Sequence, residues 1–218
     1  MQKSPLTVSS LLEEAQRFAQ HESTHPERSI YGVTDGKAVG TYLEHKFQDR
    51  LRRKYSFSEG NSAKGIDFPG LGVDMKVTSI KQPQSSCPFE SGRQKIFGLG
   101  YSLLVFVYEK RDDSKTRTAT LNILHTVFVE KQRTADYQTS SGIRKLLENG
   151  ANEDDLVAFM NERMLPVDEI QAHKIARELL KEPPQLGYLT ISNALQWRLQ
   201  YGRVISEAGK ADGVRRVR

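Results

Sequence analysis

The chain has 218 residues, 37% hydrophobic and 27% charged, with a formal net charge of +5. That length suits one domain with at most a small appendage, and the mild basicity points only weakly to a polyanionic partner. A single cysteine, Cys87, excludes an intramolecular disulfide and a cysteine-based zinc site.

Leu6 to Gln20 reads as an amphipathic helix with Leu11, Leu12, Ala15, Phe18 and Ala19 on one side. The N-terminal stretch lacks a signal-peptide core, and no apolar run is long enough to span a bilayer, so a soluble cytoplasmic protein is expected. His21 and His25 fall in a polar, proline-containing segment and read as loop residues rather than a metal pair. Ala38 to Tyr55 is a second helix, with Val39, Leu43, Phe47 and Leu51 recurring every fourth residue. At about 100° per residue, Glu44 falls at the edge of that apolar arc, and Gly40, one turn earlier, leaves room on nearly the same face.

The segment GIDFPGLGVDMKVTSIKQPQSS, residues 65–86, follows a polar loop. Strand alternation puts Val73, Met75 and Val77 on one face and Asp74, Lys76 and Thr78 on the other. Asp67 points away from its apolar flanks Ile66 and Phe68. With the turn formers Pro69-Gly70-Leu71-Gly72 between them, the two segments are expected to form a hairpin on which Asp67 and Asp74 converge. A carboxylate at Glu44 facing the same region needs a partner, because an unpaired buried charge is costly. A cation held between Glu44, Asp67 and Asp74 supplies one, and oxygen-only ligands suit Mg²⁺. The alternative is a solvated strand face carrying a local ion pair.

Tyr101 to Tyr108, YSLLVFVY, is a continuous apolar run expected as a strand buried on both faces. Thr118 to Val129 reads as the next strand. Helices are expected at Glu90–Gly98, Ser140–Asn149, Glu153–Met164 and Val167–Lys181. The C-terminal region, with Asn193, Gln196 and Arg198 on a polar stretch, is compatible with a helix-turn-helix, and the basic tail AGKADGVRRVR is expected to be mobile. The pattern predicts an α/β (α+β) domain on a central mixed sheet, residues 1–135, followed by a helical C-terminal region, residues 136–218.

Asp67 followed by Asp74-Met75-Lys76 resembles the PD-(D/E)xK nuclease core: an acid on one hairpin strand, then acid-x-Lys on the next. The upstream helical Glu44, the helix after the hairpin and the buried strand extend the resemblance over residues 38–110. Ile66 stands where the family pattern has proline. The resemblance implies a restriction-endonuclease-like fold with Asp67, Asp74, Lys76 and Glu44 as catalytic residues and the three acids as Mg²⁺ ligands. In size, and in lacking an ATPase motif, the whole chain is similar to type II restriction endonucleases. That likeness implies a homodimer cutting double-stranded DNA at a short site, 5′-phosphate and 3′-hydroxyl ends, and a cognate methyltransferase that protects the host. A structure-directed repair or recombination nuclease and a non-catalytic helix-turn-helix regulator are the competing readings. Ser79, Lys81, Gln82, Gln84, Ser85 and Ser86, which leave the active strand directly, are candidate DNA contacts. So are Arg93, Gln94 and Lys95 on the next helix and Asn193, Gln196 and Arg198 near the C-terminus.

Overall fold

The computed structural model describes residues 3–60, 65–87, 90–192 and 197–218. In chain order the elements are β1 (Ser4–Pro5), α1 (Val8–Glu22), β2 (Pro26–Glu27), α2 (Gly36–Lys54), β3 (Tyr55–Ser56), β4 (Val73–Ser79), β5 (Gln84–Ser86), α3 (Arg93–Phe97), β6 (Ser102–Asp113), β7 (Thr118–Val129), α4 (Tyr137–Glu148), α5 (Glu153–Glu162), α6 (Glu169–Lys181), β8 (Thr190–Ile191), β9 (Arg198–Gln200), α7 (Gly202–Glu207) and β10 (Val214–Arg216). Two units emerge, each discontinuous in sequence. The first comprises Met1–Ser85, Leu103–Val129 and Glu207–Arg218; the second comprises Ser86–Ser102 and Glu130–Ser206. The division therefore differs from a single cut at residue 135. The C-terminal residues return to the first unit because β10 pairs antiparallel with β7, Val214 opposite Val129 and Arg216 opposite Val127.

The first unit is built on a mixed sheet with strand order β10-β7-β6-β4, and β2 adds to β7. Leu103 through Tyr108 are all buried, as a strand covered on both faces requires. β6 and β7 form a long hairpin whose register slips by one residue between Val107 and Tyr108, which leaves Leu124 as a bulge. Thr7 caps α1 through a reciprocal capping box with Ser10, and Asp35 caps α2 by accepting from the backbone of Lys37 and Ala38. Leu11, Ala15 and Phe18 of α1 and Val39, Leu43, Phe47 and Leu51 of α2 join Val73, Met75, Leu104 and Phe106 in one core. The rings of Phe18 and Phe47 lie 5.0 Å apart, and those of Phe47 and Phe106 5.4 Å apart.

Two acids on α1 are as buried as its leucines. Glu14 meets Arg50 and Lys54 of α2 at 2.8 Å each and Arg17 at 3.1 Å. Glu22 accepts from Tyr42 Oη and Lys46 Nζ at 3.0 Å each. Charges at such depth persist only when paired, so these contacts fix how α2 lies on α1.

In the second unit α3, α4, α5 and α6 enclose Ile96, Ile143, Leu156, Met160, Ile175 and Leu179. The helix expected at Glu90–Gly98 is shorter, Arg93–Phe97. Among the described residues the C-terminal region forms no helix-turn-helix at Thr190–Tyr201. Thr190–Ile191 and Arg198–Gln200 are antiparallel strands, with Leu199, Tyr201 and Ile191 buried in strand alternation rather than along a helical stripe. Within the tail expected to be mobile, Val214–Arg216 is also a strand, followed by hydrogen bonds from Val217 and Arg218 to Thr126. Among the described residues, no helix is long and apolar enough to cross a membrane.

Candidate active site

Phe68 and Val73 bond to each other through both backbone N–H groups, at 2.9 and 3.3 Å, and the chain between them turns through a single 3-10 turn at Pro69–Leu71. Gly72 closes the turn at φ +63°, a left-handed conformation that glycine adopts without penalty. The hairpin expected from the sequence is thus a one-bridge reversal rather than a two-stranded arm. Its effect is to lay Asp67 against the start of β4.

Asp67 Oδ2 accepts from the backbone N–H of Met75 at 2.8 Å, so the first acid is tied to the residue between the second acid and the lysine. Gln48 Nε2 reaches Asp67 Oδ1 at 3.4 Å. The sequence reading missed Gln48, although it lies one turn after Glu44 on the same edge of α2, a spacing that places the two side by side.

Asp74 is 2% exposed. Lys76 Nζ lies 2.7 Å from its Oδ2, so the buried carboxylate is ion-paired with the lysine two residues on. Both faces of β4 are covered at residues 73–75, so Asp74 sits deeper than a one-sided strand face would place it. Burial pushes its carboxyl up to about 7. Asp67 adds to the shift by charge and by a hydrogen bond, and Lys76 opposes it. For Lys76, burial pulls the ammonium pKa down, but the charges of Asp74, Asp67 and Glu44 outweigh it and the net direction is up. Glu44 is half-buried on α2, and its carboxyl is raised by burial and by the charge of Asp67, against the pull of Lys76 and His45. Gly40 lies against β4, its nearest neighbours being Val77 Cβ and O, 3.9 Å from where a Cβ would stand, so an alanine would also fit.

Glu44, Asp67, Asp74 and Lys76 therefore share one electrostatic environment, as the sequence pattern predicts. Among the described residues no three acidic, histidine or cysteine side chains make a ready-formed metal cage. What is present is a pair of adjacent carboxylates, one of them buried and paired with Lys76, and a third acid within charge reach. That donor set fits Mg²⁺, which binds through one or two carboxylates and keeps waters and a phosphate oxygen in its remaining positions.

Downstream of the acids, Thr78 Oγ1 bonds the carbonyls of Gln82 and Gln84 and the N–H of Gln84, closing residues 79–84 into a tight loop. Lys81 and Gln82 are exposed on it, whereas Ser79, Gln84 and Ser85 are half-buried; Ser86 is exposed beyond it. The candidates of the second unit divide differently. Gln94 and Lys95 are buried: the Gln94 amide is engaged by Glu90, and Lys95 lies over the Trp197 ring. Both side chains face inward, so neither offers a solvent-facing group to a phosphate. Arg93 forms a fork with Glu178 at 2.8 and 2.9 Å. Arg198 is exposed on β9, and Asn193 and Gln196 lie outside the described residues.

A family model described as "Type II restriction enzyme NspV" matches residues 5–216 of this chain. The type II restriction enzyme NspV of Nostoc sp. (strain ATCC 29411 / PCC 7524) is 66% identical over 209 residues, covering 96% of this chain and 95% of that protein. No solved structure gives a significant match.

Proposed function

Because the chain belongs to the family of the type II restriction enzyme NspV, we propose that Glu44, Asp67, Asp74 and Lys76 form its phosphodiester-cleaving centre. Membership makes the chain a sequence-specific restriction endonuclease acting on double-stranded DNA. The finer reading is a Mg²⁺-dependent enzyme, working as a homodimer in the cytoplasm, that leaves 5′-phosphate and 3′-hydroxyl ends and is paired with a methyltransferase.

The observation that carries the site is the buried Asp74–Lys76 pair beside Asp67. Asp67 and Asp74 would hold the cation, with Glu44 as a third acid through water or directly. When bound, the ion polarises the phosphoryl oxygen and lowers the pKa of a water. Lys76 then stands with its ammonium beside the reacting phosphate, where it stabilises the charge gathering on the phosphoryl oxygens and orients the attacking water. The Met75 N–H and the Gln48 amide hold Asp67 in one rotamer, so its carboxylate does not have to reorganise when DNA arrives. Ser79, Lys81, Gln82, Gln84, Ser85 and Ser86 leave this centre directly, and the exposed Lys81 and Gln82 are the side chains best placed to reach base edges.

Digestion of unmethylated phage DNA with the purified protein and Mg²⁺, against an EDTA control, tests this reading. Discrete fragments that vanish with EDTA support it. A metal-dependent smear would point to a structure-directed or nonspecific nuclease, and cleavage that survives EDTA would overturn the metal assignment.

A further inference from the structure

Within the first unit, α2 and β4 run past one another in opposite directions, and a ladder of contacts fixes their levels. Gln48 reaches Asp67, which is itself bonded to the Met75 N–H. Two turns earlier on α2, Gly40 packs against Val77. Beyond Val77, Ile80 donates to the Tyr108 carbonyl at 2.9 Å. The Tyr108 hydroxyl is pushed up by burial and then by the charge of Asp35, the residue that caps α2. The first turn of α2 and the loop of residues 79–84 therefore lie toward the same end of the carboxylate centre.

One face of α2 leads from that centre toward that end. At about 100° per residue, Lys37, Thr41 and Gln48 fall within about 60° of Glu44. Lys37 stands two turns before Glu44, about 10 Å along the helix axis. The other cations of the helix are engaged or face elsewhere. Glu22 takes Lys46, Glu14 takes Arg50 and Lys54, and Glu59 takes Arg52. Arg53 falls about 180° from Glu44. Lys37 is exposed, and its ammonium has no ionic partner among the described residues. The nearby Asp35 carboxylate is turned to the backbone N–H groups of Lys37 and Ala38. A cation in the first turn also works against the helix, whose amino end carries partial positive charge. A negative group outside the chain would offset that cost.

We infer that Lys37 holds a backbone phosphate of the cut strand, on the side of the scissile bond that leads to the 79–84 loop. This rests on the nuclease reading of the carboxylate centre. A strand with one phosphate among Glu44, Asp67 and Asp74, and with bases at Lys81 and Gln82, leaves the centre toward the first turn of α2. An advance of about 10 Å corresponds to about three nucleotides at 3.4 Å each. Lys37 is there a positioning residue. It adds affinity through counterion release and fixes the path of the strand, but reads no base.

The test compares wild type, Lys37→Gln and Lys37→Arg on duplexes carrying the mapped cleaved site. In each modified duplex an uncharged methylphosphonate replaces a single phosphate of the cut strand, at successive positions up to about five nucleotides from the cut on either side. On unmodified DNA, Lys37→Gln should bind several-fold more weakly, with KM raised and kcat nearly unchanged. Its slope of log affinity against log salt should shrink by about 1. Wild type should lose the same factor when one phosphate, about three nucleotides from the cut, is made neutral. At that position Lys37→Gln should lose nothing further, and Lys37→Arg should follow wild type. Unfolding curves of Lys37→Gln should match or exceed wild type, since a cation leaves the first turn. Equal binding of unmodified DNA by wild type and Lys37→Gln would overturn the inference. So would losses that add independently at every position, because no single phosphate would then be held by Lys37. If wild type cuts and only the variant comparison fails, the nuclease centre stands alone; if wild type neither binds nor cuts the unmodified duplex, both readings fall.

Discussion

Asp67 accepts a hydrogen bond from the backbone N–H of Met75, 2.8 Å away, so the first acid of the motif is positioned by the strand that carries the second. A change at Asp67 therefore alters both a proposed metal ligand and the local fit of β4. Asp67→Asn keeps an oxygen for the Met75 N–H and should preserve stability while lowering cleavage by about 10²-fold or more. Asp67→Ala should lose cleavage to the same extent and also about 1–2 kcal/mol of stability, since it leaves that N–H without its partner. Paired cleavage assays and denaturant titrations separate the two effects; full activity in Asp67→Asn would remove the residue from the centre.

Asp74 and Lys76 make opposite demands on stability. Lys76→Ala removes the cation beside a buried carboxylate, and should abolish cleavage and cost about 1–3 kcal/mol at pH 8. The stability loss should be smaller at pH 5, where Asp74 is protonated and needs no partner. Asp74→Ala should also abolish cleavage, yet hold DNA as well as wild type or more tightly, because it removes a negative charge facing phosphates. Gel-shift and melting curves on the two variants read both outcomes.

The protonation of Asp74 links stability to pH with a definite sign. Its carboxyl sits at about 7 in the folded chain, against 3.8 for an ordinary aspartate, so between those values the native state binds more protons than the unfolded one. Its contribution is therefore fully present below about pH 4 and is lost as pH rises toward 7. Without divalent metal, wild type minus Asp74→Asn should show stability falling across that window and flat above it. Mg²⁺ should recover the loss for wild type at pH 8 and do little for Asp74→Asn. A pH-independent difference would remove Asp74 as the titrating group.

How far the sequence reveals this fold depends on the length of the pattern. The helical stripes of α1 and α2 and the twelve-residue strand Thr118–Val129 emerge within a few residues of their observed ends, because long periodic runs outvote local accidents. The carboxylate centre was legible because alternation and a turn constrain Asp67, Asp74 and Lys76 within one short stretch. Val214–Arg216 and the strands at Thr190 and Arg198 are too short to show a period, and their strand character comes from partners far away in the chain. Glu14 and Glu22 look like solvent-facing acids of α1. Their burial follows from Arg50, Lys54 and Lys46 on another helix, which no local window contains.

The reversal that lays Asp67 on β4 depends on one backbone conformation. A Cβ at Gly72 would meet nothing within 4 Å, so the constraint is the left-handed φ rather than space. Gly72→Ala should cost about 1–2 kcal/mol, and Gly72→Asn less, since asparagine tolerates that region better. Cleavage should fall in the same order if the turn sets the spacing of the two acids; equal activity in both would show that β4 holds Asp67 without it.

The pairing of β10 with β7 also sets a timetable. The edge of β7 at Val127–Val129 is made long before Val214–Arg216 leaves the ribosome. At about 5–20 residues per second, the first unit waits several seconds with an open strand edge while the second unit's segments are translated. β4, which carries Asp74 and Lys76, lies at the opposite edge from β10, so the proposed centre can form while the β7 edge is still open. Ribosome-bound chains stalled before residue 214 should therefore show an exposed β7 edge at Val127–Val129.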